Sequence, residues 1–98
     1  MVTSKRILRV ELTPELKAQI RRLPKRQRKQ IGDVITAVRD GFGAPHLHSG
    51  LGIRRLRDSL FECRVGLKLR LLFDAEPGII SFSDLGTHDE IRKLLKNL

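Results

Sequence analysis

The sequence predicts one α+β domain in which a strand and a helical hairpin precede an antiparallel sheet meander and a short C-terminal helix. Three observations lead to this class. The chain has 98 residues, of which 40% are hydrophobic, and a single core typically organises roughly 100 to 150 residues. Apolar residues recur with a period of 3.6 in the first half and of 2 after residue 52. Helix-start chemistry occurs near both ends of the chain. Residues 1–98 are therefore expected to form one domain.

The first strand leads directly into the first helix. Leu8, Val10 and Leu12 alternate with charged residues, which is typical of a half-buried strand. Thr13 has the position of a helix N-cap, and Pro14 that of the first helical residue. The apolar residues that follow have helical spacing: Leu16, Ile20 and Leu23.

A second helix is predicted over residues 25–40, after Pro24 has ended the first. Its apolar stripe follows the i, i+3, i+4, i+7 pattern: Ile31, Val34, Ile35 and Val38. Gly41 is placed to end it. The two helices form a hairpin, and residues 41–52 are expected to form a loop because they include four Gly, one Pro and two His.

Four β-type runs follow the loop, at 53–57, 60–65, 67–73 and 79–83. The connections have turn chemistry and hairpin length, at Asp58-Ser59, at Gly66 and at residues 75–78, which predicts an antiparallel meander. The last helix is predicted from the capping-box spacing of Thr87 and Glu90. Its apolar stripe consists of Ile91, Leu94, Leu95 and Leu98.

Polar side chains of the predicted sheet share one face. Those of the second and third runs are Glu62, Arg64, Lys68 and Arg70. Arg55 and Arg57 join this face if Leu56 belongs to the core. Cross-strand ion pairs are one interpretation of the set. A positively charged surface that receives a phosphodiester is the other, because the guanidinium fork matches phosphate oxygens.

The charge balance favours a polyanionic partner. Lys and Arg number 20 against 11 Asp and Glu, a net charge of +9, for which nucleic acid is the first expectation and an acidic protein or an anionic membrane the alternatives. The densest basic run spans the helix-helix corner: Arg21, Arg22, Lys25, Arg26, Arg28 and Lys29. This run is either a solvated helix face or a polyanion contact.

Several classes of protein are excluded or disfavoured by composition. A single Cys63 excludes an intramolecular disulfide and a multi-Cys zinc site. No apolar run approaches the roughly 18 residues of a membrane span, and no secretory signal is recognisable, so a cytoplasmic protein is expected. The only aromatic residues are four Phe, which argues against an aromatic platform for base stacking.

Two histidines are candidates for proton transfer, since the unperturbed imidazole titrates near neutral pH. His48 lies in the predicted loop. His88 directly follows the N-cap of the last helix, where free backbone N–H groups favour an anion such as phosphate. The three His in the chain lack carboxylates at ligand spacing, so no metal site is predicted.

The stretch LFECRVGLKLRLLF at 60–73, followed by DLGTHDE at 84–90, resembles the RelE/ParE toxin superfamily. The ending Gly-Thr-His-Asp, together with His48, is most similar to the RelE/YafQ-type branch of messenger RNA interferases. The resemblance implies a RelE-like fold with the element order described above. It also implies a toxin of a type II toxin–antitoxin system, a ribosome-dependent endoribonuclease that inhibits translation.

The resemblance also implies a mechanism without metal or other cofactor, in which a 2′-hydroxyl attacks the adjacent phosphate. By motif position His88 is the general acid or a phosphate-orienting donor, His48 the candidate base, and Glu62 the rival base. Arg70 binds the scissile phosphate. Arg64 stands where the YafQ-type branch has a His, and Lys68 stands where it has an Asp. These two differences imply a site in which electrostatics carries more of the catalysis.

The partners implied by the resemblance are a cognate acidic antitoxin, the ribosome and messenger RNA. The residues expected to bind RNA are the six of the helix-helix corner together with Arg55, Arg57 and Lys68. Two alternatives remain open: a ParE-like inhibitor of DNA gyrase, and a catalytically weak RNA-binding relative.

Overall fold

The structure is a computed structural model that describes residues 8–44 and 50–97. Within these ranges the elements are β1 (Arg9–Leu12), α1 (Pro14–Arg21), α2 (Lys25–Gly41), β2 (Arg54–Arg57), β3 (Leu60–Val65), β4 (Leu69–Glu76), β5 (Ile79–Thr87) and α3 (His88–Lys96). This order confirms the predicted α+β class. His46, His48 and Leu98 lie outside the described residues.

One sheet contains all five strands in the order β1-β5-β4-β3-β2. Strands β2 to β5 form the predicted antiparallel meander. β1 adds a feature that the sequence did not indicate, because it pairs in parallel with β5. The sheet is therefore mixed, with one parallel edge strand.

The central strands are longer than predicted. Ala75 and Glu76, expected in a turn, pair with Ile80 and Ile79. Only Pro77 and Gly78 are left to reverse the chain. This is possible because Gly78 adopts a φ of +80°, which suits the third residue of a type II turn after Pro. In the opposite sense, β4 begins two residues later than predicted, at Leu69, so Leu67 and Lys68 lie in the β3–β4 turn.

The helical hairpin begins as predicted, but α2 ends one residue later than expected, because Gly41 is still helical and Phe42 is the C-cap. The Oγ1 atom of Thr13 accepts a hydrogen bond from the backbone N–H of Leu16 at 3.2 Å, and Pro14 occupies the first helical position. The same hydroxyl donates to the carbonyl oxygen of Ser83 at 3.3 Å. The cap of α1 thereby also connects the hairpin to β5.

The main core lies between the sheet and the α1–α2 hairpin. Its fully buried members come from every layer: Leu16, Ile31, Val38, Cys63, Leu71, Phe73, Ile80 and Phe82. The four phenylalanines form one cluster around Phe73, whose ring centroid lies 5.1 to 5.8 Å from the other three. Every aromatic side chain of the protein is thus used for packing.

Helix α3 lies on the opposite face of the sheet. Gly86 is opposite Arg70 in the ladder, and a methyl group at position 86 would lie 3.1 Å from the Cβ of Glu90 in α3. Ile91 is 1% exposed and Leu72 of β4 is 4% exposed, although neither belongs to the main core cluster. Leu94, predicted to share the apolar stripe of this helix, is exposed.

Within residues 8–44 and 50–97, no helix is long and apolar enough to cross a membrane.

Candidate active site

Arg64 of β3 and Arg70 of β4 lie directly opposite each other in the antiparallel ladder. Their side chains therefore leave the sheet on the same face, as predicted. The Nη1 atom of Arg70 donates to the carbonyl oxygen of Leu69 at 3.2 Å, and the side chain is half-buried. Arg64 is exposed, and within the described part of the chain its guanidinium has no hydrogen-bond or ion-pair partner. Two cations at this spacing repel each other and attract an anion.

Glu62 lies on the same face but is largely shielded from solvent. The register places it between Arg54 of β2 and Leu72 of β4. Its Oε2 atom forms an ion pair with the Nε atom of Arg54 at 3.6 Å, and its side chain is only 7% exposed. The predicted cross-strand ion pair thus exists, although its arginine is Arg54.

The prediction that Arg55 shares this face is wrong. Arg55 pairs with Phe61, whose side chain packs on the main core, and the Nε atom of Arg55 donates to the carbonyl oxygen of Asp58 at 2.7 Å. The register of β2 shifts between Arg55 and Arg57, and Arg57 pairs with Leu60. This irregularity places Arg57 on the predicted face and gives Arg54 the position expected for Arg55.

Lys68 was predicted to lie on the sheet face, but it does not. Val65 pairs with Leu69, so Gly66, Leu67 and Lys68 form the turn between β3 and β4. Gly66 makes this turn possible with a φ of +63°. Lys68 is exposed at the tip, two residues before Arg70 in the chain.

His88 is held at the start of α3 by a capping box. The backbone N–H of Thr87 donates to Oε1 of Glu90 at 2.8 Å, and Oγ1 of Thr87 accepts from the N–H of Glu90 at 3.2 Å. The hydrogen bond from the Thr87 backbone, followed by that from its side chain, lowers the pKa of Glu90 below 4.5. Gly86 lies opposite Arg70 in the ladder. His88, two residues after Gly86, is the first residue of α3.

The residues that follow the predicted His48 loop contact the same strand. His48 itself lies outside the described residues, but its described continuation begins at Gly50. The carbonyl oxygen of Leu51 accepts a hydrogen bond from the N–H of Arg64 at 2.6 Å, and Leu51 is buried. The chain three residues after His48 is thus fixed beside the arginine pair.

The basic run of the helix-helix corner is largely exposed: Arg21, Arg22, Lys25, Arg26, Arg28 and Lys29. Among the described residues only Lys29 of this set forms an ion pair, with Asp33 at 3.0 Å. The corner lies at the same end of the sheet as the arginine pair. Two contacts show this: the Nε2 atom of Gln19 in α1 donates to the carbonyl oxygen of Leu85 at 2.8 Å, and Gln30 of α2 packs against Gly66.

Two other kinds of chemistry find little support in this part of the chain. Burial raises the pKa of the Cys63 thiol from 9.0 to about 12, so the thiolate that acts as a nucleophile or metal ligand is disfavoured. Within the described ranges, no three His, Cys, Asp or Glu side chains cluster to hold a metal ion.

The fold is shared with solved toxin structures, although no family model and no curated protein sequence matches the chain. RelE in the archaeal RelE–RelB complex from Pyrococcus horikoshii OT3 superposes with a TM-score of 0.69 at 15% identity, covering 83% of this chain and 94% of that one. The chain has the RelE-like fold. The RelB–RelE antitoxin–toxin complex from Methanococcus jannaschii gives a TM-score of 0.64 at 16% identity, with coverages of 86% and 96%. YafQ from E. coli strain BL21(DE3) gives 0.55 at 13%, with coverages of 86% and 97%.

One residue of the charged face, Arg54, was not predicted from the sequence. Arg54 directly precedes Arg55, and only the phase of the strand distinguishes them. The one signal for Arg54 was Glu62, because a buried carboxylate needs a cation opposite it. Side-chain alternation alone could not reveal the register shift in β2.

Proposed function

We propose that this protein is the toxin of a type II toxin–antitoxin system and that it cleaves messenger RNA on the ribosome, in the cytoplasm, without a metal ion. The observation that carries the proposal is the Arg64–Arg70 pair, two arginines opposite each other on the sheet face that also carries α3, with Arg64 exposed and Arg70 half-buried. An arrangement of like charges costs stability, and a phosphodiester bound between the guanidinium groups would offset that cost.

In the proposed reaction, the ribose 2′-oxygen attacks the adjacent phosphorus and the bond from phosphorus to the 5′-oxygen breaks. A base takes the 2′-proton, and an acid supplies a proton to the departing 5′-oxygen, leaving a 2′,3′-cyclic phosphate and a 5′-hydroxyl. Arg64 and Arg70 bind the phosphate oxygens and stabilise the negative charge of the pentavalent transition state. This step requires no cofactor.

His88 is proposed as the acid or as a donor that orients the phosphate. Its place in the first turn of α3 brings it to the N-terminus of the helix, where backbone N–H groups have no carbonyl partner within the helix. His48 is proposed as the base. Glu62 is the weaker candidate, because its side chain is 7% exposed and its carboxylate is already paired with Arg54. We infer that Glu62 instead holds Arg54 at the edge of the phosphate site.

The basic helix-helix corner is proposed to bind ribosomal RNA, and Arg57 and Lys68 to border the messenger RNA path. The corner and the phosphate site lie at one end of the sheet, on opposite faces of it, so RNA that passes around this end could contact both. The corner and the phosphate site are also proposed to bind an acidic antitoxin, by charge complementarity, before the toxin is released. The solved RelE–RelB complexes from Pyrococcus horikoshii and Methanococcus jannaschii support an antitoxin as the partner.

Cleavage of messenger RNA on translating ribosomes tests the proposal. The wild-type protein should produce fragments that end in a 2′,3′-cyclic phosphate. Arg70→Ala and His88→Ala should each lower the single-turnover rate by about a hundredfold or more. Arg9→Ala is the matched control, because Arg9 is an exposed arginine of β1, paired with Glu11 at 3.4 Å. It should cleave at the wild-type rate.

Three outcomes would overturn the proposal. Wild-type protein that fails to cleave, combined with variants that inhibit growth equally well, excludes the nuclease mechanism. Inhibition of DNA gyrase supercoiling without RNA cleavage selects the ParE-like alternative. Harmless overexpression of the isolated chain selects an RNA-binding relative without catalytic activity.

A further inference from the structure

Gly52 lies directly against the side chain of Arg64. A methyl group at position 52 would lie 3.2 Å from the Cβ atom and 3.2 Å from the Nε atom of Arg64, and 3.6 Å from its Cζ atom. Gly52 lies two residues before β2 and beside Arg64 of β3. The guanidinium group of Arg64 therefore rests over the backbone of Gly52, in space that any other residue would fill with its side chain.

The contact with Gly52 directs the Arg64 side chain towards β2. Gly52 adjoins β3 on the β2 side, whereas Arg70 adjoins it on the β4 side. An arginine directed over Gly52 is directed away from Arg70. This direction reduces the repulsion between the two cations.

The backbone at this position is fixed as well. Gly52 has a φ of +59°, in the left-handed region that glycine enters without steric cost. The preceding residue, Leu51, is buried and accepts the 2.6 Å hydrogen bond from the N–H of Arg64. The residue before the glycine is therefore hydrogen-bonded to the same arginine that the glycine supports.

We propose that Gly52 is a positioning residue of the phosphate site, acting through Arg64: the absent side chain provides the surface on which the guanidinium rests. This inference deepens the proposed function and depends on it for the role of Arg64. It predicts that a side chain at position 52 displaces the guanidinium towards Arg70. The loss should appear in turnover more than in stability, since a misplacement of roughly 1 Å can cost about a hundredfold in rate.

Asparagine is the best replacement because it tolerates the left-handed conformation, so Gly52→Asn adds a side chain with little backbone strain. Gly78→Asn is the matched control. Gly78 also has a positive φ, of +80°, and a Cβ atom there would have no neighbour within 4 Å. Both variants should show similar melting temperatures, so a difference between them in the measurements below reports the contact with Arg64.

The first measurement uses the free protein. The ¹⁵N NMR resonance of the Arg64 Nε–H group should shift in Gly52→Asn and stay unchanged in Gly78→Asn. An unchanged resonance in Gly52→Asn would overturn the inference, whether or not the protein cleaves RNA.

The second measurement is a double-mutant cycle on the single-turnover cleavage rate at saturating protein. Gly52→Asn should lower the rate by about tenfold to a hundredfold in the wild-type background and by less than about twofold in the Arg64→Ala background, because Gly52 acts only through that side chain. Equal losses in both backgrounds would contradict the inference. If the wild-type protein does not cleave, the proposed function fails, and the same cycle is measured on the Kd for a single-stranded RNA oligomer.

Discussion

Arg64 and Arg70 face each other across β3 and β4 with no carboxylate between them in the ladder. Directly opposed like charges are destabilising by a few tenths of a kcal/mol up to about 1 kcal/mol. We therefore expect Arg64→Gln to leave the free energy of unfolding unchanged or to raise it slightly at low ionic strength. The gain should disappear in high salt, where the charges are screened.

Arg54→Gln is the matched control for this effect, because Arg54 lies on the same face but pairs with the nearly buried Glu62. Its replacement removes the partner of a shielded carboxylate, which costs about 1 to 3 kcal/mol. Urea denaturation of both variants separates the two roles. A loss of stability in Arg64→Gln as large as that in Arg54→Gln would mean that Arg64 supports the fold.

The basic corner should determine how strongly ribosome binding depends on salt. Replacing Arg22, Lys25 and Arg26 with Gln removes three exposed cations that have no ion pair within the described ranges. The slope of log Kd against log salt should fall by about 0.7 to 0.9 for each phosphate that the variant no longer neutralises. Arg39→Gln, near the other end of α2, should leave the slope unchanged. Equal slopes for the wild type, the triple variant and Arg39→Gln would show that the corner does not contact ribosomal RNA.

Two apolar residues, one buried and one exposed, give opposite expectations for stability. Ile91 is 1% exposed in α3, whereas Leu67 is 92% exposed in the β3–β4 turn. Ile91→Ala should lower the free energy of unfolding by about 2 to 5 kcal/mol, and Leu67→Ala should change it by less than about 0.5 kcal/mol. Thermal or urea denaturation measures both. Similar values for the two variants would contradict the packing of α3 on the sheet.

The Cys63 thiol should be inert in the native protein. Its pKa is raised to about 12 by burial, so alkylation by iodoacetamide at pH 8 should become fast only in denaturant. Because the folded value exceeds the 9.0 of an exposed thiol, the native state loses stability as pH rises from about 9 to 12. Cys63→Ala should remove that part of the alkaline loss. Rapid alkylation of the native thiol would contradict its burial.

The capping box of α3 should lose strength in acid. The pKa of Glu90 is lowered by its hydrogen bonds with Thr87, so its charge stabilises the folded state above about pH 4.5 and stops doing so as pH falls through the lowered value. Glu90→Gln keeps a side-chain acceptor without the charge. Its melting temperature should be below that of the wild type at neutral pH and equal to it in strong acid; a constant difference would contradict this.

The sequence predicted the order and type of every element because its apolar periods, caps and turn residues were consistent with one another. It also predicted the shared face of Glu62, Arg64 and Arg70, since alternation is reliable inside a regular strand. Arg55 was misplaced because β2 has a register shift, and such a shift depends on the partner strand. The packing of Gly52 against Arg64 is a tertiary contact, which no local pattern could indicate.

The pairing of the first strand affects the order of folding. β1 has β5 as its partner in the sheet, and the hydroxyl of Thr13 reaches a carbonyl 70 residues later in the chain. During synthesis β1 therefore cannot pair until β5 has been made. Closing the long loop between these two strands is a slow, non-local step. β2, β3, β4 and both helices of the hairpin are therefore synthesised before β1 can pair.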